Sequence, residues 1–263
     1  MLTVEALCVT TATGKRLLAD VSFTLACGVC LGLTGPSGSG KTTLLRSLLG
    51  LDGDGLCLSG RIALDGQNLS ALAPPERRAL CGRVFGFIPQ QPMTAFFPHA
   101  TIGRQMRETL QLHRKLSRQQ AQTLAAELLL QVHLEDTARI LAAYPGALSG
   151  GMLQRIAMAL ILGTKPQVVL ADEPTSALDA FNRDLLLSLL AEYQPQAAIL
   201  FVSHDTAALR RLCSETLVLE AGSIVEQSPT AELFSRPQSD WTKRFVQAAL
   251  AAEKEVGRWN FSK

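Results

Sequence analysis

The sequence predicts an α/β fold, a mostly parallel sheet covered by helices, on three observations. The apolar run 29–34 (VCLGLT) passes through a glycine-rich loop into a run at helical spacing, 43–49 (TLLRSLL). Two compact apolar runs, 168–171 (VVLA) and 199–203 (ILFVS), flank a helical pattern over 184–193, and strand, helix, strand at that spacing implies parallel neighbours. Between these halves Ala121, Leu124, Leu128 and Val132 recur at three and four residues and line one helix face, so a helical block from about 105 to 163 interrupts the sheet.

The remaining elements follow in chain order. Short apolar runs at 2–9, 17–25 and 56–64, broken by glycine, read as strands surrounding the glycine-rich loop. Near the end, 217–220 and 224–227 flank Ala221-Gly222-Ser223, the pattern of a hairpin with glycine in its turn. No internal repeat, low-complexity segment or long linker separates these parts. The expected organisation is a core of 1–91 and 162–229, a helical insertion over 92–161, and an extension over 230–263.

Composition narrows the function. An apolar share of 47% in 263 residues belongs to a globular chain with a sizeable core. A net charge of +2 does not make a nucleic-acid surface, and the basic cluster His113, Arg114, Lys115 and Arg118 reads as a solvated helix face. The longest apolar stretches, such as 157–162 (AMALIL), fall far short of the roughly 20 residues that cross a bilayer. The opening MLTVEALCVT lacks a basic lead and an apolar block, so no secretory signal is read and a cytoplasmic chain is expected. Cysteines at 8, 27, 30, 57, 81 and 213 include one C-x-x-C pair, which precedes a strand and has no second pair to complete a zinc site. Buried or half-buried thiols are expected there.

The chemistry begins with Gly35-Pro36-Ser37-Gly38-Ser39-Gly40-Lys41-Thr42-Thr43, whose spacing fits the phosphate-binding loop G-x-x-x-x-G-K-[ST]. Its glycines let backbone N–H groups point inward at phosphate oxygens, closed by the positive start of the next helix. A nucleoside triphosphate is the expected ligand. Lys41 would reach the β and γ phosphates, and Thr42 would ligate a Mg²⁺ ion bridging them.

An apolar strand ends in Asp172 and Glu173, beyond the carboxyl end of a strand, where ligands of open α/β sheets collect. Asp172 would hold Mg²⁺, and Glu173 would act as general base toward the attacking water or orient it. Gln90, following 85–89 (FGFIP), offers a neutral amide to Mg²⁺ or to that water, and His204 can donate a hydrogen bond to the γ-phosphate. Ser149-Gly150-Gly151 opens another helix. As local physics it is either an ordinary N-cap or a second anion nest, and one triphosphate does not need two nests from one chain.

In combination these motifs resemble those of ATP-binding cassette (ABC) ATPase subunits. The loop 35–42 is similar to the Walker A loop, Gln90 to the Q-loop and 148–152 (LSGGM) to the signature motif. The run 168–173 (VVLADE) is similar to the Walker B strand, 176–179 (SALD) to the D-loop, and His204 to the switch histidine. The resemblance covers most of the chain in the family's order. It implies a P-loop NTPase core with an N-terminal antiparallel β-subdomain and the helical insertion. It also implies ATP and Mg²⁺ as cofactors, and two ATPase subunits that sandwich two nucleotides. Ser149, Gly150 and Gly151 would then act on the partner's nucleotide, with Asp179 at the interface.

The sequence departs from the family once. The family stacks adenine on an aromatic residue about two dozen residues before the phosphate loop, where this chain reads 10–14 (TTATG) with no ring. Weakened preference for adenine over guanine is expected.

A single phosphate loop, a single signature and no membrane span imply action through partners. The form of the signature, with Gln154-Arg155 after it, and 92–98 (PMTAFFP) resemble the peptide and nickel importer group, near its nickel and metal-chelate branch. That resemblance implies a second ATPase subunit, in a heterodimer rather than a homodimer, with two membrane permease subunits and an external binding protein contacted indirectly. The chain would lie peripherally on the cytoplasmic face of the cell membrane. Phe96 and Phe97 would line the groove that receives a permease helix, or else serve as core residues. The extension, with Trp241, Phe245 and Trp259, would pack on the core or contact a partner. A soluble cassette ATPase acting on nucleic acid or in translation is the alternative function. The near-neutral charge and the absence of coiled-coil insertions or zinc modules weigh against it.

Overall fold

The computed structural model describes residues 1–51, 55–176 and 178–259, with side chains to residue 251. Ala177 of the predicted D-loop and the side chain of Trp259 lie outside the described residues.

Strands β1 (Leu2–Thr11) and β2 (Arg16–Leu25) form an antiparallel pair and lead into β3 (Cys30–Thr34), the phosphate loop and α1 (Lys41–Leu49). Strand β4 (Leu56–Leu64) pairs antiparallel with β1 and with the short β5 (Gln67–Asn68), and α2 (Pro74–Arg78) and β6 (Phe85–Ile88) follow. The helical stretch consists of α3 (Ile102–Arg114), α4 (Arg118–Gln131), α5 (Thr137–Ala142) and α6 (Gly150–Gly163). The chain returns to the sheet through β7 (Val168–Asp172), α7 (Ala180–Tyr193), β8 (Ala198–Val202) and α8 (Thr206–Leu212). It ends in β9 (Glu215–Glu220), β10 (Ser223–Pro229), α9 (Thr230–Ser235) and α10 (Asp240–Trp259).

Two sheets result. One is antiparallel, in the order β2-β1-β4-β5; the other runs β10-β9-β3-β8-β7-β6 and is parallel except for the β9–β10 hairpin. The hairpin turns at Ala221 (φ 48°) and Gly222 (φ 85°), the left-handed pair of a type I′ turn.

The unbroken apolar runs of the central strands have a simple cause: both faces of this sheet are covered. On β7, Val168 and Leu170 enter a core shared with α1 and the antiparallel sheet, while Val169 and Ala171 enter the core beneath α7 and α8. Leu200 and Val202 divide from Ile199 and Phe201 in the same way on β8, each fully buried. A buried side chain of this size stabilises the fold by about 1.5–3 kcal/mol relative to exposure. A third core, with Ile102, Met106, Leu128, Leu129 and Leu153, holds the helical stretch together.

Two sequence expectations need correction. Cys27 and Cys57 are exposed, because Cys27 sits in the turn before β3 and Cys57 points outward from β4; Cys30 and Cys213 are buried as neighbours, with their sulfurs 3.6 Å apart. The basic cluster is solvated only at Lys115 and Arg118. His113 packs over Gly82, and Arg114 Nη1 donates to the Gly163 carbonyl, which ties the end of α3 to the end of α6. Among the described residues no helix is long and apolar enough to cross a membrane.

Candidate functional site

The site collects at the carboxyl ends of β3, β7 and β8. At Gly35 (φ 147°) a Cβ would lie 1.9 Å from the Leu219 carbonyl oxygen, so any other residue would push the loop off the sheet. Helix α1 opens on Gly40 with no side-chain cap, which leaves its first amide donors for another acceptor. Lys41 is buried, and its Nζ donates to the carbonyls of Gly35 (2.7 Å) and Pro36 (2.9 Å). Burial lowers its pKa, and the Glu173 and Asp172 carboxylates oppose that shift. Ser39 Oγ is buried without a hydrogen-bond partner.

Beyond the loop, β7 delivers Asp172 and Glu173. Asp172 Oδ2 lies 3.5 Å from Thr42 Oγ1, and burial, reinforced by Glu173, raises its pKa against the hydrogen bond from Thr42 and the charges of Lys41 and Arg46. Glu173 takes a left-handed backbone (φ 45°), strained for a side-chain-bearing residue. Its carboxylate is held from both sides: Gln90 Nε2 donates to Oε2 at 3.2 Å, and His204 Nε2 stands 3.0 Å from Oε1. Burial and then Lys41 lower the His204 pKa, with Glu173 pulling the other way. In the neutral tautomer protonated on Nε2, that nitrogen donates to the carboxylate. Gln90, Glu173 and His204 come from distant parts of the sequence and meet at one carboxyl group.

These residues border a cavity of about 600 Å³ with Ser37, Gly38, Gly40, Lys41, Thr42 and Thr43 on its floor. Its remaining wall is Lys15, Arg16, Leu17, Ala221 and Gly222, which sequence reasoning missed. The wall exists because the start of β2 and the β9–β10 turn fold against the loop, a long-range arrangement with no local signal.

Ser149, Gly150, Gly151 and Asp179 do not line this cavity. Ser149 caps α6, its Oγ accepting from Met152 N at 3.3 Å, and it is exposed. Asp179 caps α7 through Asn182, accepting from its backbone N (2.9 Å) and from Nδ2 (2.7 Å), bonds that lower its pKa. A Cβ on Gly151 would lie 3.1 Å from Asn182 Nδ2, so the starts of α6 and α7 adjoin. Gln90 also borders a smaller cleft, of about 250 Å³, with Gly150, Gln154 and Leu178, and so touches both the phosphate cavity and the start of α6.

An apolar groove of about 370 Å³ runs between β6 and α6, lined by Leu51, Phe87, Phe96, Leu160 and Ile161 among others. The two phenylalanines expected to line a groove therefore separate: Phe96 lines it while buried in the helical core, and Phe97 is 76% exposed. Trp241 stacks on Phe245 in α10 at a centroid distance of 4.8 Å, and Phe245 packs against the core beneath α7 and α8.

Comparison with known proteins agrees with this geometry. Residues 18–176 match the family model described as ABC transporter. The chain is 36% identical to the metal-staphylopine import system ATP-binding protein CntD of Staphylococcus aureus (strain Mu50), over 92% of this chain and 91% of that protein. It is 33% identical to the dipeptide transport ATP-binding protein DppD of Escherichia coli (strain K12), over 91% and 75% respectively. The fold superposes on a dimeric post-hydrolysis state of the ATP-binding cassette MJ0796 bound to ADP and Pi, with a TM-score of 0.77, 26% identity, and coverage of 88% of this chain and 99% of that one. With the phosphate loop, the clasped glutamate and these relatives in agreement, the chain belongs to the ABC transporter family and is one of its ATPases.

Proposed function

We propose that this chain is the ATP-hydrolysing subunit of an importer that takes up a peptide, nickel or a metal chelate through separate permease subunits. It acts peripherally at the cytoplasmic face of the cell membrane. The observation that carries the reading is the clasp of Gln90 and His204 on Glu173 beside the phosphate loop. ATP lies with its phosphates over 35–43, where uncapped α1 amides and Lys41 receive them. Glu173 accepts the proton of the attacking water or orients it, and His204 turns its Nε2–H from Glu173 to the γ-phosphate.

The oxygen donors Thr42, Asp172 and Gln90 suit a hard cation. Among the described residues no cluster of His, Cys, Asp and Glu could hold a metal by itself, which fits an ion completed by substrate phosphates. Thr42, Asp172 and Gln90 would hold Mg²⁺, which would supply positive charge against the phosphate oxygens.

The outward-facing Ser149, Gly150 and Gly151, with Asp179 beside them, close over the nucleotide of a second ATPase subunit, and a heterodimer is favoured. Residues 1–91 and 162–229 form the nucleotide-binding core, 92–161 the subdomain carrying this second surface, and 230–263 the extension. The groove beside Phe96, with exposed Phe97 at its edge as an anchor, receives a short permease helix. The relatives CntD and DppD, named for import of metal-staphylopine and dipeptide, support the importer reading.

The test is Glu173→Gln. Hydrolysis by the purified chain is expected to fall by about 10²–10⁴-fold, while ATP binding and ATP-driven pairing persist. Unchanged turnover would remove Glu173 from the chemistry.

A further inference from the structure

The cavity has too few walls to leave the nucleobase many places to go. Its floor is the phosphate loop, and one end is Gln90, Glu173 and His204, which the reacting end of the triphosphate requires. The nucleoside must then leave along the remaining wall of Lys15, Arg16, Leu17, Ala221 and Gly222. Among the described residues, the imidazole of His204 is the only ring that lines the cavity.

This wall is fixed close to the phosphates. A Cβ on Gly40 would lie 2.8 Å from Leu18 Cδ2 and 3.0 Å from the Leu17 carbonyl oxygen, and a Cβ on Gly222 would lie 2.6 Å from that same oxygen. The loop before it is also braced. Thr11 Oγ1 accepts from Lys15 N at 3.1 Å and bonds Thr13 Oγ1 at 2.8 Å, while Thr11 N donates to the Lys15 carbonyl at 2.9 Å. Arg16 stands exposed at the head of β2, in register with Thr10, and enters no ion pair among the described residues. An exposed, planar and weakly hydrated guanidinium lining the cavity beside the apolar Leu17 is a stacking surface.

We infer that Arg16 is the base-binding residue of this ATPase, its guanidinium stacking on the purine face in place of an aromatic side chain. This rests on the nucleotide lying as proposed above. Stacking reads the π-face, which adenine and guanine both present in full and pyrimidines present over a smaller area. The site is thus a purine nucleoside triphosphate site that does not distinguish ATP from GTP, and Arg16 contributes to binding and not to turnover.

Equilibrium binding of fluorescent ATP, GTP and UTP analogues to the full chain, with steady-state hydrolysis alongside, tests this. ATP and GTP are expected to bind within about threefold of each other and UTP more weakly. Arg16→Ala is expected to weaken both purine nucleotides by roughly three- to tenfold, with a matching rise in the KM of hydrolysis, and Arg16→Tyr to restore binding of both. More than about tenfold selectivity for either purine nucleotide would overturn the stacking contact, because an edge-on hydrogen bond would then be choosing the base. Equal weakening of UTP by Arg16→Ala would overturn it too, by assigning Arg16 to the phosphates or sugar. A Glu173→Gln chain with undiminished hydrolysis would instead remove the underlying mechanism, whatever Arg16 does.

Discussion

Helices α1 and α6 both begin at a glycine-rich turn, and both are proposed above to meet a nucleotide, yet their starts are finished differently. Helix α1 opens on Gly40 with no side-chain cap, inside a cavity that its own chain walls. Helix α6 opens on Ser149, whose hydroxyl already accepts the Met152 amide, and it borders none of that cavity. A third start completes the series. The buried Glu226 carboxylate accepts from Gln238 N and Ser239 N, each at 3.0 Å, just ahead of α10, and Ser239 Oγ accepts from Thr242 N at 3.0 Å in its first turn, so side chains of the protein fix this start on both sides of the cap. On the function proposed above, the degree of self-satisfaction separates a binding end, a shared end and a structural end.

The largest effect is expected where the chain fills the end itself. Glu226→Ala leaves two partly buried amides without acceptors, which costs about 1–3 kcal/mol and lowers the melting temperature, while nucleotide binding stays the same. Loss of ATP affinity in this variant would show that the three ends are not independent. Ser149→Ala sharpens the middle case. ATP binding by the isolated chain is expected to be unchanged, whereas ATP-driven association, followed by sedimentation, weakens by roughly tenfold, about 1.4 kcal/mol. A loss of ATP binding in the monomer would place Ser149 at its own chain's nucleotide and break the distinction between α1 and α6.

The smallest effect concerns the acid beside α1. The folded Asp172 has a pKa above its unfolded value, so the folded state holds the proton more tightly. Stability is therefore lost as pH rises from 3.8 through the folded pKa, and the cost persists at neutral pH. Asp172→Asn removes it, and is expected to raise the melting temperature at pH 7 while hydrolysis is lost. The gain should vanish below pH 3.8, where the wild-type acid is protonated. A melting temperature that falls on this substitution would mean that the Thr42 contact outweighs burial.

Much of the fold was legible because its signals are local. A sheet covered on both faces needs unbroken apolar strands, and 168–171 and 199–203 show them; the hairpin announces itself at Ala221-Gly222. Strand order was not legible, since β3 takes β8 and β9 as neighbours across most of the chain and nothing in 30–34 encodes that choice. The site divides in the same way. The phosphate loop is one contiguous motif, whereas the clasp on Glu173 needs Gln90 and His204 carried in by separate strands. Arg16 carried no signal at all, because its importance depends on where β2 lands. The separation of Phe96 from Phe97 also lies beyond sequence: adjacent residues in an irregular segment have no fixed periodicity to assign them sides.

The crowding at Gly40 and Gly222, where two turns close on one carbonyl of Leu17, has a genetic corollary. A screen for lost uptake would be expected to recover lesions in the late hairpin and in the early loop as a single phenotypic class. Second-site suppressors of either would fall at the head of β2.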